Sequence, residues 1–513
     1  MKNLVSRAVL STALVALMAG GAAAADPVKG GVLRVGLAAE PEALDPATVR
    51  TVAGWETMMP MCQGLYNIGP DGFPAPQLAD DLPIFTDGGL TVEVKLKKGE
   101  IFYNDGTPFT PESAKAGFER TIFGAGGVTP LGQYVEAVEA TVDSVIFKMK
   151  SVYAPFLADL AGPNAMLVSP THAEAVGDQF GQQPVCVGPY KFVSRVAGSD
   201  ITLEASEHYY DQGAINFDQI VFKVVTDENA RVLGVRSGDL DIIENPPIPE
   251  LDRLESDGLK VTKFTGLGWT GLLFNVGNGN GFQAEPAQRE VPVAQHAAIR
   301  QAISKAIDRN AISQLLSRGQ SLATCDLISP SYGLDTTAEC GPRDVEGAKA
   351  LIASTGVDLP IQISVLVSRD VRALEAIQAM VKEIGVDITI DSCDASTCLN
   401  RYQKGEADAY FNTWSGLPDV DTLQSALFSA ASALNGTRSS NTAIDELLAQ
   451  ARSEVDKDAR QALYAEWVKQ MDAEAVAVSV GNPAVAVVST SKLSGIGFAA
   501  PGKLDVSASY FTE

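Results

Sequence analysis

Short apolar runs, some alternating and some continuous, recur along the chain between stretches whose apolar positions repeat every three to four residues. This pattern predicts strands alternating with helices, and so α/β layers. Residues 31–37 read as a first strand stopped by Glu40-Pro41, and residues 90–96 alternate before the turn Lys97-Lys98-Gly99. A helix is expected over residues 112–120, with Thr110 as cap, Pro111 in the first turn and Glu112 on the positive end of the dipole. Residues 199–203 and 219–225 read as strands, and Asp227 as the cap of a helix ending near Gly238. The most regular helical stripe is Ile299, Ile303 and Ile307 within residues 296–316, interrupted at Asp308-Arg309-Asn310. Residues 361–367, 373–384 and 386–390 form a β-α-β pattern with Gly385 as the helix stop, and residues 410–414 form a strand entering a loop.

The 513 residues suffice for two or three domains, and a hydrophobic content of 46% suits a globular chain rather than a disordered one. Acids outnumber bases 63 to 39, giving a formal charge of -24. No basic cluster offers a face for phosphates, so nucleic acid is not an expected partner. Lys2 and Arg7 precede an apolar run over residues 8–19 and the small-residue stretch before Asp26. That arrangement is a cleavable export signal, residues 1–25, with Ala23 and Ala25 at the cleavage motif. The run is too short to span a bilayer, and no cysteine follows the cut to carry a lipid.

Export alters the meaning of Cys62, Cys186, Cys325, Cys340, Cys393 and Cys398, an even set in an oxidising compartment. Six cysteines allow fifteen connectivities. Proximity favours Cys325 with Cys340 and Cys393 with Cys398, leaving Cys62 with Cys186; buried free thiols are the alternative. A zinc site lacks the necessary spacing, and no cofactor motif is present. His172, His208 and His296 sit apart, and no G-x-S-x-G, H-E-x-x-H or Walker motif occurs. Gly266-Leu267-Gly268-Trp269-Thr270-Gly271 matches G-x-G-x-x-G, but a strand-like run follows where a dinucleotide site needs a helix N-terminus.

Seven segments in order resemble the extracellular solute-binding proteins of ABC importers, in the peptide/nickel-binding family typified by oligopeptide- and dipeptide-binding proteins. They include residues 30–35 leading into 40–46, Gln63-Gly64-Leu65-Tyr66, and residues 102–110 around Asp105-Gly106-Thr107-Pro108. Val187-Gly188-Pro189-Tyr190 has Val187 where the family usually has Thr; residues 237–242 and 299–309 complete the set. The resemblance implies an α/β fold like type II periplasmic binding proteins, with two lobes, a hinge and an extra α/β domain on the first lobe. The first lobe would use residues 26–65, 187–272 and 475–513, the inserted domain 66–186 and the second lobe 273–474. A Cys62–Cys186 bridge would then staple the two ends of the insertion.

The implied function is capture of a small solute, foremost a di- or oligopeptide or peptide-like compound, in the cleft between lobes. Delivery would be to an ABC permease in the inner membrane, by a periplasmic, monomeric protein that is not lipid-anchored. The alternatives are an exported hydrolase, or a binder of an opine-like conjugate, a sugar or a metal chelate. By match to the peptide-binding relatives, Ala39, Glu40 and Pro41 on one lobe and Trp414, Ser415 and Gly416 on the other would meet the ligand backbone. Trp414 and Trp269 are candidate aromatic walls, with core packing as the alternative for each. These relatives carry an Asp three residues after the Trp, where it pairs with the ligand amine; Leu417 stands there in this chain. Asp419 or Asp421 would replace that carboxylate if the loop is one residue shorter, and otherwise each simply starts the next helix. Arg369 and Arg372 are candidates for a ligand carboxylate, or else solvated arginines at a helix start.

Overall fold

In the computed structural model, the described residues are 27–69, 72–124, 129–279, 281, 286–336, 341–432 and 434–513. The expected export signal and Cys340 lie outside them. Among the described residues, no helix is long and apolar enough to cross a membrane.

A seven-stranded sheet organises the first lobe. Its spatial order is Lys260–Thr265, Ala484–Ser489, Ile242–Glu244, Val32–Leu37, Gln219–Val224, Asp200–Ala205 and Tyr190–Val196. The central strand Val32–Leu37 runs parallel to both of its neighbours, so three carboxyl ends point the same way. Leu33, Val35 and Leu37, alternate positions on one face of this strand, are fully buried. A five-stranded sheet organises the second lobe, in the order Val386–Ser392, Ile361–Val367, Ala409–Trp414, Trp269–Phe274 and Ala477–Gly481. Ile361–Val367 is parallel to Val386–Ser392 and to Ala409–Trp414, again aligning carboxyl ends.

Between Leu65 and Val187 the chain builds its own core around an antiparallel sheet, ordered Ile84–Thr86, Thr91–Lys95, Ser144–Met149 and Val135–Ala140. Cys62 and Cys186 are bonded across its base, beside the Gln63 N–H to Val187 carbonyl hydrogen bond of 2.7 Å. Cys393 is bonded to Cys398, and Cys325 is also disulfide-bonded.

Capping chemistry fixes several helices as expected from sequence. Thr110 caps Pro111–Phe123 through the Ser113 N–H, and Asp227 caps Glu228–Ser237 through Ala230. The stripe at residues 296–316 forms two helices, Ala297–Ala306 and Arg309–Ser317, because Asp308 caps the second through Ala311.

The sheets correct the expected lobe boundaries. Trp269–Phe274 pairs along its whole length with Ala409–Trp414, and Ala477–Gly481 pairs with Trp269–Phe274. Both strands belong to the second lobe, so the chain crosses between lobes at residues 266–268 and 482–483, not at 272 and 475. The crossings are tied together: Gly266 N–H donates to Pro483 at 2.8 Å, and the Asn482 amide donates to Gly268 at 2.9 Å. A side chain at Gly268 would collide with the Trp414 carbonyl. Gly266 and Gly268 of the G-x-G-x-x-G match thus serve close backbone approach at a crossing, and Gly271 lies inside the strand Trp269–Phe274, with no helix N-terminus after them.

Candidate functional site

The carboxyl ends of the parallel strands in both lobes face one another, and ligands in open α/β sheets bind at such ends. Between them lies a cleft of about 1220 Å³. The first lobe lines it with Glu228, Asn229 and Asn245 among others, the second with Thr270, Arg369, Asp370 and Thr413.

On the first lobe the edge is held from behind. Arg231 is 3% exposed, and its guanidinium donates to the carbonyls of Val225 (2.7 Å), Thr226 (3.1 Å), Glu244 (3.3 Å) and Asn245 (2.9 Å). It thereby ties together the ends of two strands; burial lowers its pKa from the ordinary arginine value. Beyond the third strand end, Ala39 is exposed, Glu40 half-buried and Pro41 buried. The Glu40 carboxylate turns away to Arg195 (2.5 Å) and to the Gly198 N–H (2.8 Å), while Arg195 also donates to the Pro41 carbonyl. Burial pushes Glu40 up, but these hydrogen bonds outweigh it and hold the acid below the usual carboxylate range. The only carboxylate of this loop is therefore engaged within the protein.

On the second lobe Trp269 is fully buried, which makes it a core residue and not a wall of the cleft. Its ring lies 6.4 Å from Trp414, which is half-buried and meets Tyr410 edge-on at 5.8 Å. The next positions face the other way: Thr270 and Thr413 share a 2.8 Å hydroxyl contact and line the cleft. Ser415 is exposed and Gly416 buried; a side chain at Gly416 would meet Leu267 and the Tyr332 hydroxyl at 2.6 Å. Tyr332 donates to the Leu417 carbonyl at 2.8 Å, fixing the loop.

Both acids downstream of Leu417 are engaged within the protein. Asp419 caps the helix Val420–Phe428 and receives Arg460 on both oxygens, at 2.7 and 2.8 Å. Asp421, 4% exposed, pairs with Arg452 at 2.9 Å and accepts from Ser425 at 2.7 Å. Both acids belong to a helix start and its arginines, so neither is free for a ligand amine. Arg369 differs: it is exposed, lines the cleft and has no ion-pair partner among the described residues. Arg372 is exposed on the helix Val371–Lys382 and is not among the described lining residues.

Ala39, Glu40, Pro41, Trp414, Ser415, Gly416, Asp419 and Asp421 are likewise not among those lining residues. The structure adds Glu228, Asn229 and Asn245, which the sequence reading did not single out. A usable signal existed for the first two, because they follow the cap Asp227 directly after a parallel strand. Among the described residues, no group of three or more His, Cys, Asp or Glu side chains is placed to hold a metal.

Comparison with known proteins gives the same architecture. The sequence profile described as "Bacterial extracellular solute-binding proteins, family 5 Middle" matches residues 74–435. The chain is 24% identical over 473 residues to a glutathione-binding protein, GsiB, of Pectobacterium atrosepticum, covering 88% of each chain. It is 26% identical over 459 residues to a probable D,D-dipeptide-binding periplasmic protein, DdpA, of Escherichia coli, covering 84% of this chain and 85% of that one. Among solved structures, NikA from Brucella suis in complex with Fe(III)-EDTA superposes with a TM-score of 0.81 at 19% identity, covering 94% of this chain and 100% of that one.

Proposed function

The chain belongs to the family 5 extracellular solute-binding proteins of ABC importers, and from that premise we propose that it captures a peptide or peptide-like solute between its lobes. The observation that carries the reading is the cleft at the facing carboxyl ends, lined from both sheets. A solute touching both sides stabilises the closed state by its differential affinity, and rotation about the tied crossings at 266–268 and 482–483 supplies the hinge. A membrane permease then receives the closed, loaded form.

Export by residues 1–25 to the periplasm, action as a monomer and the absence of catalysis complete the proposal. Arg369 is the group we assign to a ligand carboxylate, since a planar guanidinium takes a carboxylate on two hydrogen bonds. Leu417, with Asp419 and Asp421 engaged by arginines, favours a ligand whose amine is blocked or absent. A buried ammonium without a counter-ion is costly, so free-amine peptides gain little here.

Thermal shift against glutathione and a panel of di- to pentapeptides, each with its amine free and with its amine acetylated, and mass spectrometry of the recovered ligand, tests this. A saturable rise in melting temperature with unchanged ligand is expected. Chemical conversion of the ligand would establish the hydrolase reading instead. Ligand-saturable shifts from chelates alone would reassign the cargo.

A further inference from the structure

Behind the loop that follows the first strand lies a pair of buried carboxyl groups that do not line the cleft. Glu56, on the helix Val52–Met58, is fully buried, and Glu244, at the end of Ile242–Glu244, is 2% exposed. One Glu56 oxygen accepts the Leu504 N–H at 2.8 Å; the other is buried without a donor and faces Glu244. Two ionised carboxylates cannot share a dry site at tolerable energy. A proton on Glu56 removes both difficulties, because the orphan acceptor becomes a donor to Glu244. Glu244 also accepts two further bonds, from the Ala38 N–H at 2.7 Å and the Asn245 amide at 3.0 Å. Ala38 directly precedes the loop 39–41, and Asn245 lines the cleft in a left-handed conformation, φ 46°.

We propose that Glu244 is a positioning residue for ligand capture, its carboxylate clamping the Ala38 and Asn245 amides while Glu56 supports it from the core with a shared proton. The inference rests on the capture reading above, since it needs this edge to meet the ligand. A loop held in its bound conformation before the ligand arrives gives up less entropy on binding.

The charged groups facing the pair fit this arrangement. Burial, then the charge of Glu244, holds Glu56 well above the usual carboxylate range, against the opposing Leu504 N–H and Lys503. Lys503, on the neighbouring strand Lys503–Asp505, is itself pushed down to about 8 by burial and lies over the Trp55 ring. Arg231, on the helix Glu228–Ser237, faces Glu244 while its donors are taken by four carbonyls. As the pH rises through the elevated value, Glu56 loses its proton, two charges confront each other and the clamp loosens. Affinity is therefore expected to fall toward alkaline pH.

The test combines amide hydrogen exchange at residues 33–41 of the free protein with the affinity, from pH 5 to 9, of the tightest binder in the peptide panel. Glu244→Ala is expected to speed Ala38 exchange and weaken binding tenfold or more. Glu56→Gln, whose amide always donates, should retain the acid-side affinity and flatten the pH profile, while Glu56→Ala should not. If Glu244→Ala fails to fold, Glu244→Gln, which still accepts from Ala38, should keep the protection and lose the pH dependence. Unchanged Ala38 exchange in Glu244→Ala, unchanged affinity, or a full pH profile in Glu56→Gln would overturn the proposal. If no panel member binds the wild type, the capture reading fails, and the exchange data alone decide whether Glu244 holds Ala38.

Discussion

The two edges of the cleft are built from similar parallel strand ends but are held in opposite ways. The first-lobe edge is held from inside by ionisable groups with almost no exposure, Arg231, Glu244 and Glu56. The second-lobe edge is fixed by a helix start, where Asp419 and Asp421 are each taken by an arginine while Arg369 stays in solvent. The difference separates support from recognition: a buried charge has spent its hydrogen bonds on the protein, whereas an exposed one can still meet a ligand.

The largest expected effect breaks the second-lobe support. Arg460→Ala leaves Asp419 uncompensated at a largely buried helix start, and should destabilise the fold by about 3 kcal/mol in chemical denaturation. A second effect concerns the contact between inserted domain and second lobe, where the Ala154 N–H donates to the Arg452 carbonyl at 2.7 Å. There Asp159 accepts from the Tyr153 hydroxyl at 2.8 Å, and burial, with the charges of Asp419 and Asp421, raises it to about 7. A raised acid keeps its full contribution below its ordinary value and loses it as pH climbs to the raised one. Stability should therefore decline between about pH 4 and 7 through this group. Asp159→Asn should equal wild type at the acid end and exceed it by about 2 kcal/mol at pH 8, a discounted figure for a half-buried group.

Recognition is tested by smaller changes. Arg369→Ala should weaken a carboxylate-bearing ligand about tenfold, or about 1.4 kcal/mol, while the melting temperature of the free protein hardly moves. An equal loss for a carboxamide analogue would take the assignment away from Arg369. Smallest of all, acetylating the amine of a bound peptide should change the dissociation constant less than about threefold; a tenfold loss would reveal an acid that anchors the amine.

Much of the frame was legible because it depends on neighbours in sequence. Strand alternation at residues 31–37, 361–367 and 386–390 and the caps at Thr110, Asp227 and Asp308 are all short-range chemistry. The Cys62–Cys186 bond was reachable by pairing the nearer cysteines first. Trp269 was not legible, since its residue type suits a ligand wall and a core equally well and only the sheet behind it decides. Asp419 and Asp421 sit in a loop next to a candidate aromatic, yet Arg460 and Arg452, which engage them, lie 41 and 31 residues on.

The amino-acid sequence by itself determined the α/β character, the order of elements and the family, because hydrophobic period, caps and turn residues act over a few positions. Only the tertiary structure decided which charges are spent and which are free. Glu56 and Glu244 meet because the helix Val52–Met58 packs against the sheet that contains Ile242–Glu244, a strand far from it in the chain. A carboxylate's solvation and partners are properties of that packed environment, and no local pattern encodes them.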